Sequence, residues 1–161
     1  MRYLSGEEEK NGFEYLEVTA TTARDSICNR SKCGSVIVKD NAIIGRGYNS
    51  PPLDKESQRR CSCSKDSYHK KVTDKTCCMH AEERAIIDAL KKNAEEIRGA
   101  RLYFLRLDKK DMPVKSGKPY CTICSKMALD VGIEEFVLWH EEGIAVYTTD
   151  EYNTLSFQYT E

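Results

Sequence analysis

Two short β-rich runs, residues 35–39 and 42–48, flank the pair Asp40-Asn41 and predict a hairpin. Elsewhere the apolar spacing is helical. Leu16, Ala20, Ala23 and Ile27 recur along residues 14–30, across a cluster of Thr19, Thr21 and Thr22 that weakens helix formation. Ala85, Ile86, Ala89 and Leu90 form a second stripe over residues 80–92, with Gly99 as a stop signal. Residues 100–107 read as a strand, 121–131 as a helix ended by Gly132, and 135–139 and 144–147 as two further strands. Residues 150–157 read as a closing helix capped by Thr149. Residues 49–78 open with Ser50-Pro51-Pro52 and read as loop.

Strands joined through helices imply that part of the sheet is parallel, with helices packed on its faces. The predicted fold class is therefore α/β, with one mixed sheet of about five strands. A chain of 161 residues suits a single domain. That domain is expected over residues 13–161, preceded by a polar, frayed extension over residues 1–12.

Composition narrows the class. Hydrophobic residues at 40% and charged residues at 32% describe a globular chain that can bury a core. A net charge of −1 argues against attachment to nucleic acid by overall charge. No apolar run approaches the roughly 18–20 residues of a membrane helix, and the start MRYLSGEEEKNG lacks the apolar core of a secretory signal. The expected setting is cytoplasmic, with no membrane partner.

Eight cysteines change the picture. In a reducing compartment they are buried apolar groups, reactive thiols or metal ligands. Six of them, Cys61, Cys63, Cys77, Cys78, Cys121 and Cys124, stand within three residues of another cysteine.

Two segments carry candidate chemistry: His80-Ala81-Glu82, and Pro119-Tyr120-Cys121-Thr122-Ile123-Cys124. Each opens a predicted helix, where unpaired N–H groups and positive potential favour thiolate. His80, Cys121 and Cys124 would give zinc three protein ligands and leave one position for water, which the metal acidifies. Glu82 is placed to shuttle protons between that water and a substrate. Alone, an HxE is common by chance, and a CxxC is as often structural zinc, a redox pair or packing. The two together, about 40 residues apart, are far more specific.

With these motifs on the page, residues 14–140 resemble the cytidine and deoxycytidylate deaminase superfamily, nearest its deoxycytidylate (dCMP) branch. The stretches SICNRSKCGSVIVKDNAIIGRGYNSPP, CMHAEERAII and KPYCTICSKMALDVGIEEFVLW carry the likeness. Histidine rather than cysteine in the first motif favours the nucleotide and polynucleotide branches. The resemblance implies a three-layer α/β/α fold, zinc on His80, Cys121 and Cys124, Glu82 as proton shuttle, Asn49 on the sugar and the Ala81 backbone on the base. It also implies assembly into dimers or larger oligomers. Asn49 equally suits a simple turn after its strand. Three features depart from the family pattern: Tyr120 separates Pro119 from Cys121, the link from Arg106 to Lys118 is long, and Ser50 stands where regulated members carry glycine.

The resemblance further suggests a second, structural zinc, with Cys28 in the position of its first ligand and Cys61, Cys63, His69, Cys77 and Cys78 as loop candidates. A long loop with few large apolar side chains gains an anchor from such a metal. Cys33 reads as a core substitute. Trp139 either stacks on a base or lines the core. Basic residues crowd both segments that precede the motifs, with Arg59 and Arg60 as candidate phosphate ligands.

The expected function is zinc-dependent hydrolytic deamination of a small cytosine nucleotide, dCMP to dUMP. Deamination of tRNA or single-stranded DNA is the first alternative, with nucleic acid as partner. A non-catalytic zinc-stabilised module is the second, and the presence of Glu82 argues against it.

Overall fold

The computed structural model describes residues 1–160. Its strands are β1 (Arg2–Tyr3), β2 (Cys33–Lys39), β3 (Ala42–Tyr48), β4 (Arg101–Leu107), β5 (Pro113–Val114), β6 (Glu135–His140) and β7 (Gly143–Thr148). Its helices are α1 (Gly6–Arg24), α2 (Ala81–Asn93), α3 (Thr122–Asp130) and α4 (Thr149–Phe157). The strands form one sheet in the order β1-β7-β6-β4-β2-β3, with β5 paired to β4. β4 and β6, joined through α3, are parallel, and all other pairs are antiparallel.

Alternation along the strands divides the core between two faces. Tyr103 and Leu105 of β4 meet Leu16, Ala20 and Ala23 of α1, with Val36 and Val137 beside them. Leu102 and Phe104 point the other way, into a cluster with Ala85, Ile86 and Ala89 of α2, Ala128 of α3 and Tyr152 of α4. The result is the expected three-layer α/β/α sandwich. Trp139 joins the α1 side, edge-on to Phe13 at 6.2 Å between centroids. In the hairpin, Lys39 pairs with Ala42. Asp40 and Asn41, at φ 47° and 63°, make the left-handed two-residue turn that fits strand twist.

Several details differ from the sequence reading. The sheet has seven strands rather than about five. β1 and β5 are two residues each, too short to show a period. The N-terminal residues do not fray: Arg2 pairs with Val146, and Leu4 is buried against the α1 face. The first helix starts at Gly6 and ends at Arg24, not over 14–30. Glu7, Glu8 and Glu9 complement its N-terminal dipole. Hydroxyls of Thr19, Thr21 and Thr22 donate to the carbonyls four residues back, so they do not compete with the helix. The last helix is capped by Thr148, whose Oγ1 accepts from the Glu151 N–H at 3.2 Å, rather than by Thr149.

An ion-pair network fastens α1 to the sheet. Glu8 accepts from Arg2 at 2.8 Å and from Arg101 at 2.9 Å, while Arg101 also donates to Glu135 at 2.6 Å. The Arg2 hydrogen bond, with Arg101 adding to it, holds the Glu8 carboxyl down at about 2 against the usual 4.5. A carboxyl depressed in the folded state stabilises above its unfolded pKa, and that stability is lost as pH falls through the folded value. Glu8→Gln should therefore lower the melting midpoint at pH 7 by about 2–4 °C at most, since the pair is partly exposed. The difference should shrink in high salt and vanish as pH falls below 2, as thermal melts of both proteins across pH would show.

Candidate active site

The first turn of α2 lies directly on β3. A Cβ at Gly47 would stand 2.2 Å from the Ala81 carbonyl oxygen and 2.3 Å from the Ala85 nitrogen, so only glycine permits this approach. The contact seats His80 as the N-cap of α2, with its backbone N–H donating to Glu83 at 2.8 Å. Cys121 is the N-cap of α3, which packs on the same face of the sheet. Two helix N-termini thus deliver the two motifs to one point.

There His80 Nδ1 lies 3.2 Å from Cys124 Sγ and 3.3 Å from Cys121 Sγ, and the two sulfurs are 3.1 Å apart. One imidazole and two thiols within 4.8 Å of one another suit zinc in charge and softness, and leave a fourth position for water. Contact with Cys124, and then His80, brings the Cys121 thiol down to about 4, into the thiolate form a metal requires. Glu82, one residue into α2, is 5% exposed. Burial, with the Cys121 thiolate adding to it, pushes its carboxyl up to about 7.

These groups open onto a cavity of about 310 Å³, walled by Asn49, Ala81, Glu82, Phe104, Tyr120 and Cys121 among others. Arg30, Arg60, Lys65 and Arg106 also line it, and Glu82 is its single acidic residue. Asn49 and Ala81, the residues expected at a substrate, both line this cavity. Asn49 also does work the sequence did not show. Its Oδ1 accepts from the Cys33 N–H and its Nδ2 donates to the Ser31 carbonyl, both at 2.8 Å, which anchors the loop before β2. Cys33 packs against the core, where burial raises its thiol to about 12.

The remaining cysteines separate. Cys28, Cys61 and Cys78 gather within 4.8 Å, and Cys77 Sγ lies 3.2 Å from Cys61 Sγ and 3.8 Å from Cys78 Sγ. Cys63 and His69 stand outside that group, and the His69 Nδ1 accepts from the Lys71 N–H instead. Burial would raise the Cys61 thiol, yet the Asn29 backbone, Cys77 and Arg59 together bring it down to about 7. The two arginines also divide. Arg60 lines the cavity, whereas Arg59 is occupied by Glu56 at 2.5 Å and the Ile27 carbonyl at 2.9 Å. Sequence reasoning passed over Arg30, whose donors to the Cys61 and Cys63 carbonyls hold the loop beside the cavity. It had no pattern to follow, because the pairing joins two irregular segments.

Removing an amine from a heteroaromatic ring requires an activated water and a carboxyl that returns its proton, and the class that combines them in this way is the zinc-dependent hydrolytic deaminases. The chain belongs to the cytidine and deoxycytidylate deaminase family, whose zinc-binding region matches residues 9–140. The deoxycytidylate deaminase of Mycobacterium phage D29 is 30% identical over 129 residues, spanning 76% of this chain and 89% of that protein. Among solved structures, the dCMP deaminase of cyanophage S-TIM5 in complex with dCMP and dUMP is 22% identical with a TM-score of 0.55, over 83% of this chain and 82% of that one. A cytidine deaminase from Burkholderia pseudomallei is 17% identical with a TM-score of 0.56, over 87% and 94% of the two chains. At those identities the likeness is one of fold.

Gly47→Ala should push α2 off β3 and carry His80 and Glu82 with it. Deaminase activity should drop at least tenfold, with a loss of zinc affinity and a lower melting midpoint. A variant with wild-type zinc content and activity would show that the helix does not depend on this contact.

Proposed function

We propose that the chain deaminates dCMP to dUMP with release of ammonia. The observation that carries this reading is the juxtaposition of Glu82 with His80, Cys121 and Cys124 on a cavity whose other charged walls are all cationic. An anionic nucleotide suits such walls, and the phage D29 relative bears the name of that activity. His80, Cys121 and Cys124 are the zinc ligands in this reading. Zinc held there supplies Lewis-acid activation of water. Glu82 accepts one proton of the attacking water and passes it to N3 of the base. It then takes the second from the hydroxyl added at C4 and gives it to the amine, which leaves as ammonia while the carbonyl forms. Ala81, whose N–H lies in the unpaired first turn of α2, contacts the base. Asn49 keeps one amide hydrogen for the sugar, its other groups being engaged with the loop.

A second zinc belongs to the proposal as a structural element, on Cys28, Cys61 and Cys78 with Cys77 alongside. These sulfurs join the segment before β2 to the loop after β3, where few apolar side chains are buried.

Ammonia release should be fastest with dCMP in a panel of cytosine, deoxycytidine, cytidine, dCMP, dCTP, tRNA and single-stranded DNA. Activity confined to the polynucleotides would replace this reading with base deamination in nucleic acid. Glu82→Gln should retain zinc while turnover falls by about two to four orders of magnitude, for want of the shuttle. Active Glu82→Gln protein would remove the mechanism.

Elemental analysis tests the metal assignment separately. Wild-type protein purified without chelator should hold two zinc ions per chain, Cys121→Ser one, and Cys28→Ala one with dCMP turnover largely kept. Unchanged zinc in Cys28→Ala would make that sulfur group a set of buried thiols.

A further inference from the structure

β4 ends in a fork. It pairs with β6 as far as Tyr103, and beyond that point β5 takes the vacated edge at Arg106 and Leu107. The chain after β5 then crosses to β6, where the Ser116 N–H donates to the Trp139 carbonyl at 2.7 Å. His140 Nδ1 lies 3.1 Å from the Ser116 carbonyl, and Lys115 Nζ donates to the His140 carbonyl at 3.2 Å. The segment that lengthens the link between β4 and α3 is thereby pinned over the fork.

Beside it lies a second cavity of about 220 Å³, which reaches Glu82 and has no cysteine in its wall. Phe104 and Arg106 share a face of β4, the one that looks toward α2 and the reacting centre. Arg106, Ser116 and Lys118 line this chamber, and Glu82 is its single acid. The Ser116 hydroxyl is buried and has no hydrogen-bond partner among the described residues. A buried unsatisfied hydroxyl is costly unless a ligand or a water completes it.

The cations of the site differ in their commitments. Arg30 is held by the Cys61 and Cys63 carbonyls, and Arg60 by the Ser57 and Arg59 carbonyls. Among the described residues the Arg106 guanidinium has no hydrogen bond or ion pair, although it lines both cavities that meet at Glu82.

We propose that Arg106, Lys118 and the Ser116 hydroxyl form the subsite for the phosphate monoester of the nucleotide, on the segment between β4 and α3 rather than on the loop that carries Arg60. This rests on the nucleotide reading above. A guanidinium offers paired donors to phosphate oxygens, the ammonium adds charge, and the hydroxyl supplies a further donor. Base specificity and phosphate specificity then come from different elements: α2 reads the ring, and the segment over the fork reads the phosphate.

The test compares kcat/KM for dCMP and deoxycytidine in wild type, Arg106→Ala, Arg106→Lys, Ser116→Ala and Arg60→Ala. Arg106→Ala should lower the dCMP-to-deoxycytidine ratio by about tenfold or more, chiefly through KM. Arg106→Lys should recover part of the loss, because charge returns without the paired donors. Inhibition by dUMP, read without turnover of that ligand, should weaken in parallel, while inhibition by deoxyuridine should change less. Equal losses on both substrates would make Arg106 a structural residue and overturn the proposal. A ratio moved by Arg60→Ala but not by Arg106→Ala would place the phosphate on the opposite wall and overturn it too. Wild-type protein that turns over neither compound but does deaminate another base would defeat the dCMP reading itself, and this assignment with it.

Discussion

At Gly47 and Gly45 the backbone of β3 touches the backbone of α2 with no side chain between them, and Cβ atoms there would fall 2.2 and 2.5 Å from helix carbonyl oxygens. Such contact is closer than a helix resting on side chains allows, and it removes freedom from the first turn of α2. His80 and Glu82 inherit that rigidity. In the roles proposed for them, metal ligand and proton shuttle, these two side chains must keep their separation within fractions of an ångström, because misplacement by 1 Å can cost about two orders of magnitude in rate. The other half of the site comes from α3, whose position is fixed by the parallel pairing of β4 and β6. The reacting centre thus sits where a helix-on-strand contact and a crossover helix meet.

Burying Glu82 is unfavourable for stability, since a carboxyl removed from water resists ionisation even with His80 nearby. Its proximity to the Cys121 thiolate increases that resistance. A hydrophobic residue would serve the core better at this position. The arrangement suits the proposed chemistry, where a carboxyl that holds a proton readily is the one that can return it. Contacts with Cys124 and His80 act in the opposite sense on Cys121, favouring its thiolate. One small volume therefore keeps a carboxyl easily protonated beside a thiol easily deprotonated.

Much of this was legible in the chain. The hairpin, the stop at Gly99 and the two motifs at helix starts each rest on local chemistry, and local chemistry survives folding. What could not be read lies in long-range pairing. Arg2 and Pro113 belong to strands only because β7 and β4 offer open edges. The first helix was placed too late because its opening turn is acidic rather than apolar, a cue to dipole and ion pairs rather than to burial. Among the loop cysteines, spacing gave no reason to prefer Cys61 and Cys78 over Cys63. That selection follows from how residues 26–32 and 59–78 fold over each other. Arg59, counted as a phosphate ligand, is turned inward by Glu56 and the Ile27 carbonyl.

Irregular segments supply nearly all of the cavity wall that is not catalytic. Cys28, Cys61, Cys77 and Cys78 face the same cavity as His80 and Glu82, so the sulfur group is also a wall of the substrate site. The loop that carries it has few buried apolar side chains to define its path. Whatever joins Cys28 to Cys61 and Cys78 therefore determines the shape of that wall, as well as the stability of the loop. Arg30 couples the same elements through the Cys61 and Cys63 carbonyls. Loosening the sulfurs should consequently be felt in substrate affinity before it is felt in the chemical step, because α2 rests on β3 at Gly45 and Gly47 and is tied to the start of the loop by Arg84, away from the sulfurs. On the proposed function, catalysis belongs to the rigid layers, and selection among substrates to the segments laid over them.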